Sequence, residues 1–355
     1  MSLTHPQRSD RKRPVAPPGP APAGERSHNG ARAAGLACAF VLLVLVCLLS
    51  VVVGARHLPP LVVWHGLLDS ASDSATVVRE MRLPRTLLGL LAGTALGIAG
   101  GVMQAITRNP LADPGVLGIN AGASASVVTA ISALGVTTFD GYVWFAFLGA
   151  AVVSALVYVV GGGSGATPAR LALAGTAIGA AVYSYVNAVQ LLDTASLDRM
   201  RFWTVGSLAA AQTDTAVKMA PFVALGGITA LALASSLNAL ALGDDMARAL
   251  GVAPATTRAV AMAAVTLLCG AATAACGPIV FVGLAVPHMV RAVTGPDLRW
   301  LLAYCTVLAP VLFLGADVLG RILARPAEIQ VGVMTALLGG PFFLALVRRN
   351  RTVGA

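Results

Sequence analysis

Residues 82–126, RLPRTLLGLLAGTALGIAGGVMQAITRNPLADPGVLGINAGASAS, decide how the chain is read. Arg82 and Arg85 open an apolar run. Gly89, Gly93, Gly97 and Gly101 follow four residues apart, so on a helix they share one face with Arg85. In a bilayer, small residues at that spacing let a second helix approach backbone to backbone. The run ends in a polar break, Asn109–Pro110, with Pro114–Gly115 beyond it. A second apolar helix rich in Gly, Ala and Ser begins there. By itself the pattern describes two closely packed membrane helices, a common arrangement.

The rest of the composition fits that solvent. Of 355 residues, 57% are hydrophobic and 11% charged, with mean hydropathy +0.81. Soluble chains carry roughly a quarter charged residues, so these charges are too few to coat a soluble surface. Glycines number 38 and aromatics are only 5%, which suits packed helices better than the alternating strands of a barrel. The net charge of +9 is concentrated at segment ends and in the first 32 residues, a poor fit to nucleic-acid binding. Cys38, Cys47, Cys269, Cys276 and Cys305 all lie in apolar segments without metal-ligand spacing, so packing is their expected role and no metal site is expected.

Taken in order, residues 1–32 are polar and rich in Pro, Arg and Gly, and are read as an unstructured tail. Its arginines precede the first span and place that end in the cytoplasm. A transmembrane domain is expected over 33–348 and a short tail over 349–355. Ten spans are predicted: 33–55, 83–107, 116–135, 141–161, 169–192, 215–236, 255–275, 279–293, 299–320 and 329–347. Residues 56–81 form an external loop with an interfacial turn near Trp64. Ten spans return the C-terminus to the cytoplasm, in line with Arg348, Arg349 and Arg351. Residues 258–291 repeat the plan of 85–126, helix, Gly–Pro break, short helix, in the opposite orientation, as transporter repeats often do. The fold class expected is all-α: a polytopic membrane protein with an inverted-type internal repeat.

R-x-P-R at 82–85, the Gly-stepped helix ending in Met103–Gln104, NPLA-x-P-G-x-L-G at 109–118 and G-A-S at 122–124 resemble the signature of the FecCD permeases. These are the BtuC-like membrane subunits of type II ABC importers for iron–siderophore complexes, haem and cobalamin. GADVLGRILARPAEIQVGVMTALLGGP at 315–341 resembles the last block of that family, and the likeness extends over about 80–347.

The resemblance implies three sets of residues. Arg82, Arg85 and Arg321 would meet acidic residues of a periplasmic or lipid-anchored substrate-binding protein, the planar guanidinium holding a carboxylate bidentately. Arg56, Arg79, Arg199 and Arg201 fit head-group snorkelling. The Gly-bounded segment within 237–252 would be the coupling helix that sits in a groove of the ATPase. Leu240, Gly243, Ala247, Leu250 and Gly251 give contact there, and Asp244, Asp245 and Arg248 a polar rim. Asp244 can cap that helix and Gly251 end it. Polar residues at membrane depth face a bundle interior or a cavity. Tyr183, Asn187, Gln190 and Thr335 are the leading candidates for a translocation path, followed by Gln104 and Asn120, although hydrogen bonding between helices explains each equally well. Asp317 and His288 read as structural, Asp317 paired with Arg321 one turn on.

No G-x-x-x-x-G-K-[ST], HExxH or GxSxG occurs, so ATP and Mg would bind a separate ATPase and the chain is not expected to be an enzyme. The implied assembly is two permease subunits, two ABC ATPases and a binding protein in a bacterial plasma membrane, carrying a metal chelate, foremost a ferric siderophore. The competing reading is an ion-coupled secondary transporter with inverted repeats, which calls for titratable pairs at the midplane.

Overall fold

A computed structural model describes residues 24–69, 71–72, 74–136, 138–163, 168–193 and 203–351. Among them every regular element is helical. α1 (Gly24–Val52) and α2 (Pro60–Leu68) come first. A π-helical stretch (Thr76–Arg82) runs straight into α3 (Leu83–Ile106). A 3-10 turn (Pro114–Leu117) precedes α4 (Ile119–Leu134), followed by α5 (Phe139–Val160), α6 (Pro168–Leu192) and α7 (Thr213–Ala232). Two short helices, α8 (Ala234–Ala241) and α9 (Asp244–Ala249), lead to α10 (Pro254–Cys276). α11 (Val282–Thr294), α12 (Leu298–Leu323) and α13 (Val331–Arg351) complete the chain.

The ten predicted spans correspond to ten apolar helices, seven of them long enough to cross a membrane. Ile119–Leu134, Val282–Thr294 and Val331–Leu344 are shorter. At 1.5 Å per residue, the 13-residue Val282–Thr294 is about 20 Å long, short of the roughly 30 Å hydrocarbon core. Two boundaries differ from expectation. α1 begins at Gly24, so residues 24–32 are helical rather than part of an unstructured tail. The Tyr304 hydroxyl donates to the Arg32 carbonyl and lies against Gly35, pinning this stretch to α12. α13 runs to Arg351, into the expected C-terminal tail. Residues 1–23, and with them most of the basic tail, lie outside the described residues, as do Arg199 and Arg201.

α3 is the axis of the fold, enclosed by α12, α10, α7 and α11. Its glycine row does what the spacing predicts. A Cβ on Gly93 would lie 2.6 Å from Pro310 Cα, one on Gly97 would strike Ala309, and one on Gly101 would sit 2.9 Å from the Leu301 and Leu302 methyls. Gly89 meets Leu314 further along α12. Gly100 points elsewhere, and its missing Cβ leaves room for the Gly283 carbonyl of α11. Gly122 and Gly149 face each other in the same way where α4 crosses α5.

These approaches predict a sharp contrast. Gly100→Ala should destabilise the chain by about 1–3 kcal/mol, because backbone must move to admit the methyl. Gly315, a helical glycine with nothing within 4 Å of its would-be Cβ, should accept alanine neutrally or gain up to about 1 kcal/mol. Thermal unfolding of the two purified variants in one detergent measures the difference. Equal melting temperatures would remove the packing argument.

Candidate functional sites at the two ends of the bundle

At one end the first turn of α3 meets the last turns of α12 and the C-terminus of α1. Asp317, fully buried on α12, receives Arg85 at 2.7–3.2 Å through Nε and Nη2, and Arg321 at 2.9 Å. Arg85 also reaches Glu328 at 2.6 Å. The Asp317–Arg321 pair is the expected one; Arg85 is a second partner supplied by the fold.

A helix C-terminus leaves carbonyls unsatisfied and partly negative, and arginines complement it. α1 ends in just such a cage. Arg321 donates to the Ser50 and Val53 carbonyls, and Arg82 to those of Val51, Val52 and Arg56. Arg325 donates to Gly54. Ser50 accepts from Arg321 and shares a 2.8 Å bond with Thr86. Arg82, Arg85 and Arg321 are therefore buried and internally bonded, not free cations on a surface. They form part of the wall of a cavity of about 310 Å³, which Arg56, Met81 and Glu328 also line. Among the arginines here, Arg56 and Arg325 are exposed. Arg79, expected to snorkel, instead donates to the last carbonyls of α2, Gly66 and Leu67.

The opposite end lies about 35 Å away along the 24 residues of α3. Arg108, just past α3, pairs with Asp244 at 2.6 Å, and Arg258 from α10 grips the same carboxylate through two bonds of 2.7 and 2.9 Å. Arg258's hydrogen bonds, seconded by Arg108, hold the Asp244 carboxyl at about 2, far below the usual carboxylate range. Asp244 does not cap α9: Gly243 holds the N-cap position with no side-chain bond, and Asp244, the first helical residue, is turned to the two arginines. Gly251 ends the helix in a left-handed conformation, φ +79°, as expected, and Gly243 sits at φ +111°. Asp245 and Arg248 form an exposed pair at 2.8 Å.

The apolar contacts of this segment differ from expectation. Leu240 belongs to α8 and is buried in the core, and Ala247 is buried beneath α9, so neither offers a contact surface. Leu250 is exposed as expected, and Leu242 and Met246 continue the row at four-residue intervals. Those two are absent from the expected contact set; the four-residue spacing back from Leu250 could have found them.

The membrane-depth polar residues divide. Tyr183 and Asn187 are exposed on α6, while Gln190 is half-buried with Nε2 unpartnered among the described residues. The other three are buried and bonded within the bundle. Gln104 donates to the Leu284 carbonyl, Asn120 accepts from the Thr273 hydroxyl, and Thr335 donates to the Gly332 carbonyl. Interhelical bonding accounts for Gln104 and Asn120, and a bond within its own helix turn accounts for Thr335. No cluster of metal-ligating side chains occurs among the described residues.

A model of the FecCD transport family matches residues 42–349. The ferric enterobactin transport system permease protein FepD of Escherichia coli K12 is 43% identical over 318 residues, 89% of this chain and 95% of that protein. The hemin transport system permease protein HmuU of Yersinia pestis is 37% identical over 317 residues, 88% of this chain and 94% of that one. Among solved structures, a metal-chelate type ABC transporter in an inward-facing conformation superposes with a TM-score of 0.76 at 29% identity, covering 88% of this chain and 98% of that chain. With its glycine-stepped core helix, its charged clusters at both ends and relatives aligned over nearly their whole length, the chain belongs to the FecCD transport family.

Proposed function

We propose that the chain is the permease subunit of an ATP-driven importer that takes up a ferric siderophore delivered by a substrate-binding protein. The observation that carries this reading is the pairing of two sites through one rod. α3 sets Arg85 into the wall of an arginine-lined cavity at one end and leads at the other into Arg108, which holds the short helix α9 through Asp244. The arginine end suits an acidic docking surface on the binding protein, with Arg56 exposed and Arg82, Arg85 and Arg321 lining the cavity that an inserted carboxylate would enter. The α9 end suits a separate ATPase, which holds ATP and Mg because this chain lacks a phosphate-cradling motif. Leu242, Met246 and Leu250 form the apolar contact and Asp245 and Arg248 its rim. Both termini then lie on the ATPase side, in the cytoplasm.

α6 supports a second permease subunit. Only 17% of its span is buried, yet it exposes Tyr183 and Asn187. Polar groups at that depth are costly against lipid, so a partner or a water-filled path covers them. The cargo assignment leans on the ferric enterobactin permease as the 43% identical relative. The test is uptake in proteoliposomes containing the permease, its ATPase and its binding protein. Ferric siderophore should accumulate only with ATP and binding protein present, and Met246→Asp with Leu250→Asp should abolish co-purification of the ATPase. Uptake driven by an ion gradient without ATP would replace this reading with an ion-coupled carrier.

A further inference from the structure

On the flank of the bundle, α5, α7 and α10 enclose an elongated groove of about 510 Å³ whose lining is almost wholly apolar. Its floor is made of small exposed residues, among them Ala151, Ala155 and Ala263. The polarity of its walls is ordered along its length. One end is closed by packed rings: Trp144, Phe147 and Phe222, with centroids 4.7–6.3 Å apart. Ten residues along α5, Ser154 lines the wall. It is 4% exposed, and its hydroxyl has no partner among the described residues. One turn further stands Tyr158, within electrostatic reach of Arg258. Arg258 is on the face of α10 that carries Met262 and Thr266 into the groove. Arg258 and Arg108 share one carboxylate, Asp244, so this corner keeps a net positive charge.

We propose that the groove is a site for one anionic phospholipid. From Tyr158 to Trp144 the groove runs about 21 Å along α5, from near the end of that helix past its middle, long enough for an acyl chain laid along it. An acyl chain lies along the alanine floor and ends on the aromatic cluster. The glycerol ester carbonyl accepts from Ser154, supplying the missing partner of a buried hydroxyl. The headgroup phosphate lies at Tyr158 and Arg258. A zwitterionic lipid fills the same groove but adds no net charge opposite Arg258, so the site discriminates by headgroup. Since Arg258 also holds Asp244, the lipid shares a cation with the segment proposed to meet the ATPase.

The test is native mass spectrometry of the purified full chain, delipidated and exposed to dioleoyl phosphatidylglycerol or dioleoyl phosphatidylcholine. Wild type should retain one phosphatidylglycerol per chain, favoured at least about fivefold over phosphatidylcholine, the contribution of one cation near a membrane surface. Ala263→Trp and, independently, Ala155→Leu fill the groove from exposed positions and should lose that lipid at unchanged melting temperature. Arg258→Gln should keep a lipid but lose the headgroup preference. Equal retention of the two lipids by wild type, or undiminished phosphatidylglycerol in both groove variants, would overturn the proposal. Counting lipids requires neither ATPase nor binding protein, so this result stands apart from the importer reading.

Discussion

Asp317→Asn should destabilise the folded chain by about 3 kcal/mol or more. It leaves two buried guanidiniums, Arg85 and Arg321, without the carboxylate between them, and breaking one side of a buried ion pair strands the remaining charge. Arg85 keeps Glu328, and Arg321 keeps the α1 carbonyls, so the damage falls on how α1, α3 and α12 close together. The measurement is thermal unfolding in detergent alongside folded yield. Arg321→Leu added to Asp317→Asn should recover part of the loss, since it removes a stranded charge, and the cycle isolates the coupling. Wild-type melting of Asp317→Asn would mean that the cluster does not bind the three helices. The same geometry changes how docking must be probed. Reversing Arg321 would set a carboxylate beside Asp317 and spoil the fold, so loss of partner binding in that variant carries no information. Arg56→Glu, at an exposed position on the same cavity, alters the field seen by an acidic partner while leaving the arginine cage whole.

How much was legible beforehand follows the range of each interaction. The glycine face of α3 was readable because helical periodicity is local, and the row does pack on α12. The Asp317–Arg321 pair was readable because it spans one turn. Arg85 lies 232 residues from Asp317 in sequence, and no pattern announces that partnership. Exposed arginines were expected at this end because charge in a membrane chain normally seeks water. Instead they meet the unsatisfied carbonyls of α1, a sink visible only once three helix ends converge. On α9 the difficulty was one of phase. Leu240 and Leu242 are equally apolar in sequence, but one belongs to a core helix and the other begins an exposed row. Gln104 and Asn120 carried a true signal of interior position, and their partners, the Leu284 carbonyl and the Thr273 hydroxyl, decide that they bind helices together.

Asp244→Lys should uncouple the assembled transporter, with uptake per ATP hydrolysed falling about tenfold or more, a coupling loss within the usual 1–3 kcal/mol. The substitution replaces the anion that joins α9 to the end of α3 and the start of α10 with a third cation among Arg108 and Arg258. The carboxylate is a third exposed, so each pair is worth at most about 1 kcal/mol to folding, and the variant should be made and inserted normally. Its effect is on where α9 sits, not on whether it forms. ATP hydrolysis should persist, because the catalytic groups belong to the ATPase. Pairing Asp244→Lys with Arg258→Asp restores opposite charges across the same gap and should recover a large part of the uptake, which a purely steric defect would not permit. The pH dependence follows from the depressed carboxyl. A group whose folded pKa of about 2 lies below its ordinary value near 4 contributes fully above that ordinary value and loses its contribution only as pH falls towards 2. The tie is thus complete from about pH 5 upward, and any change in wild-type coupling between pH 6 and 8 must come from other groups. Unchanged transport per ATP in Asp244→Lys would show that α9 transmits its motion through the backbone alone, and the ion pairs would lose their place in the coupling path.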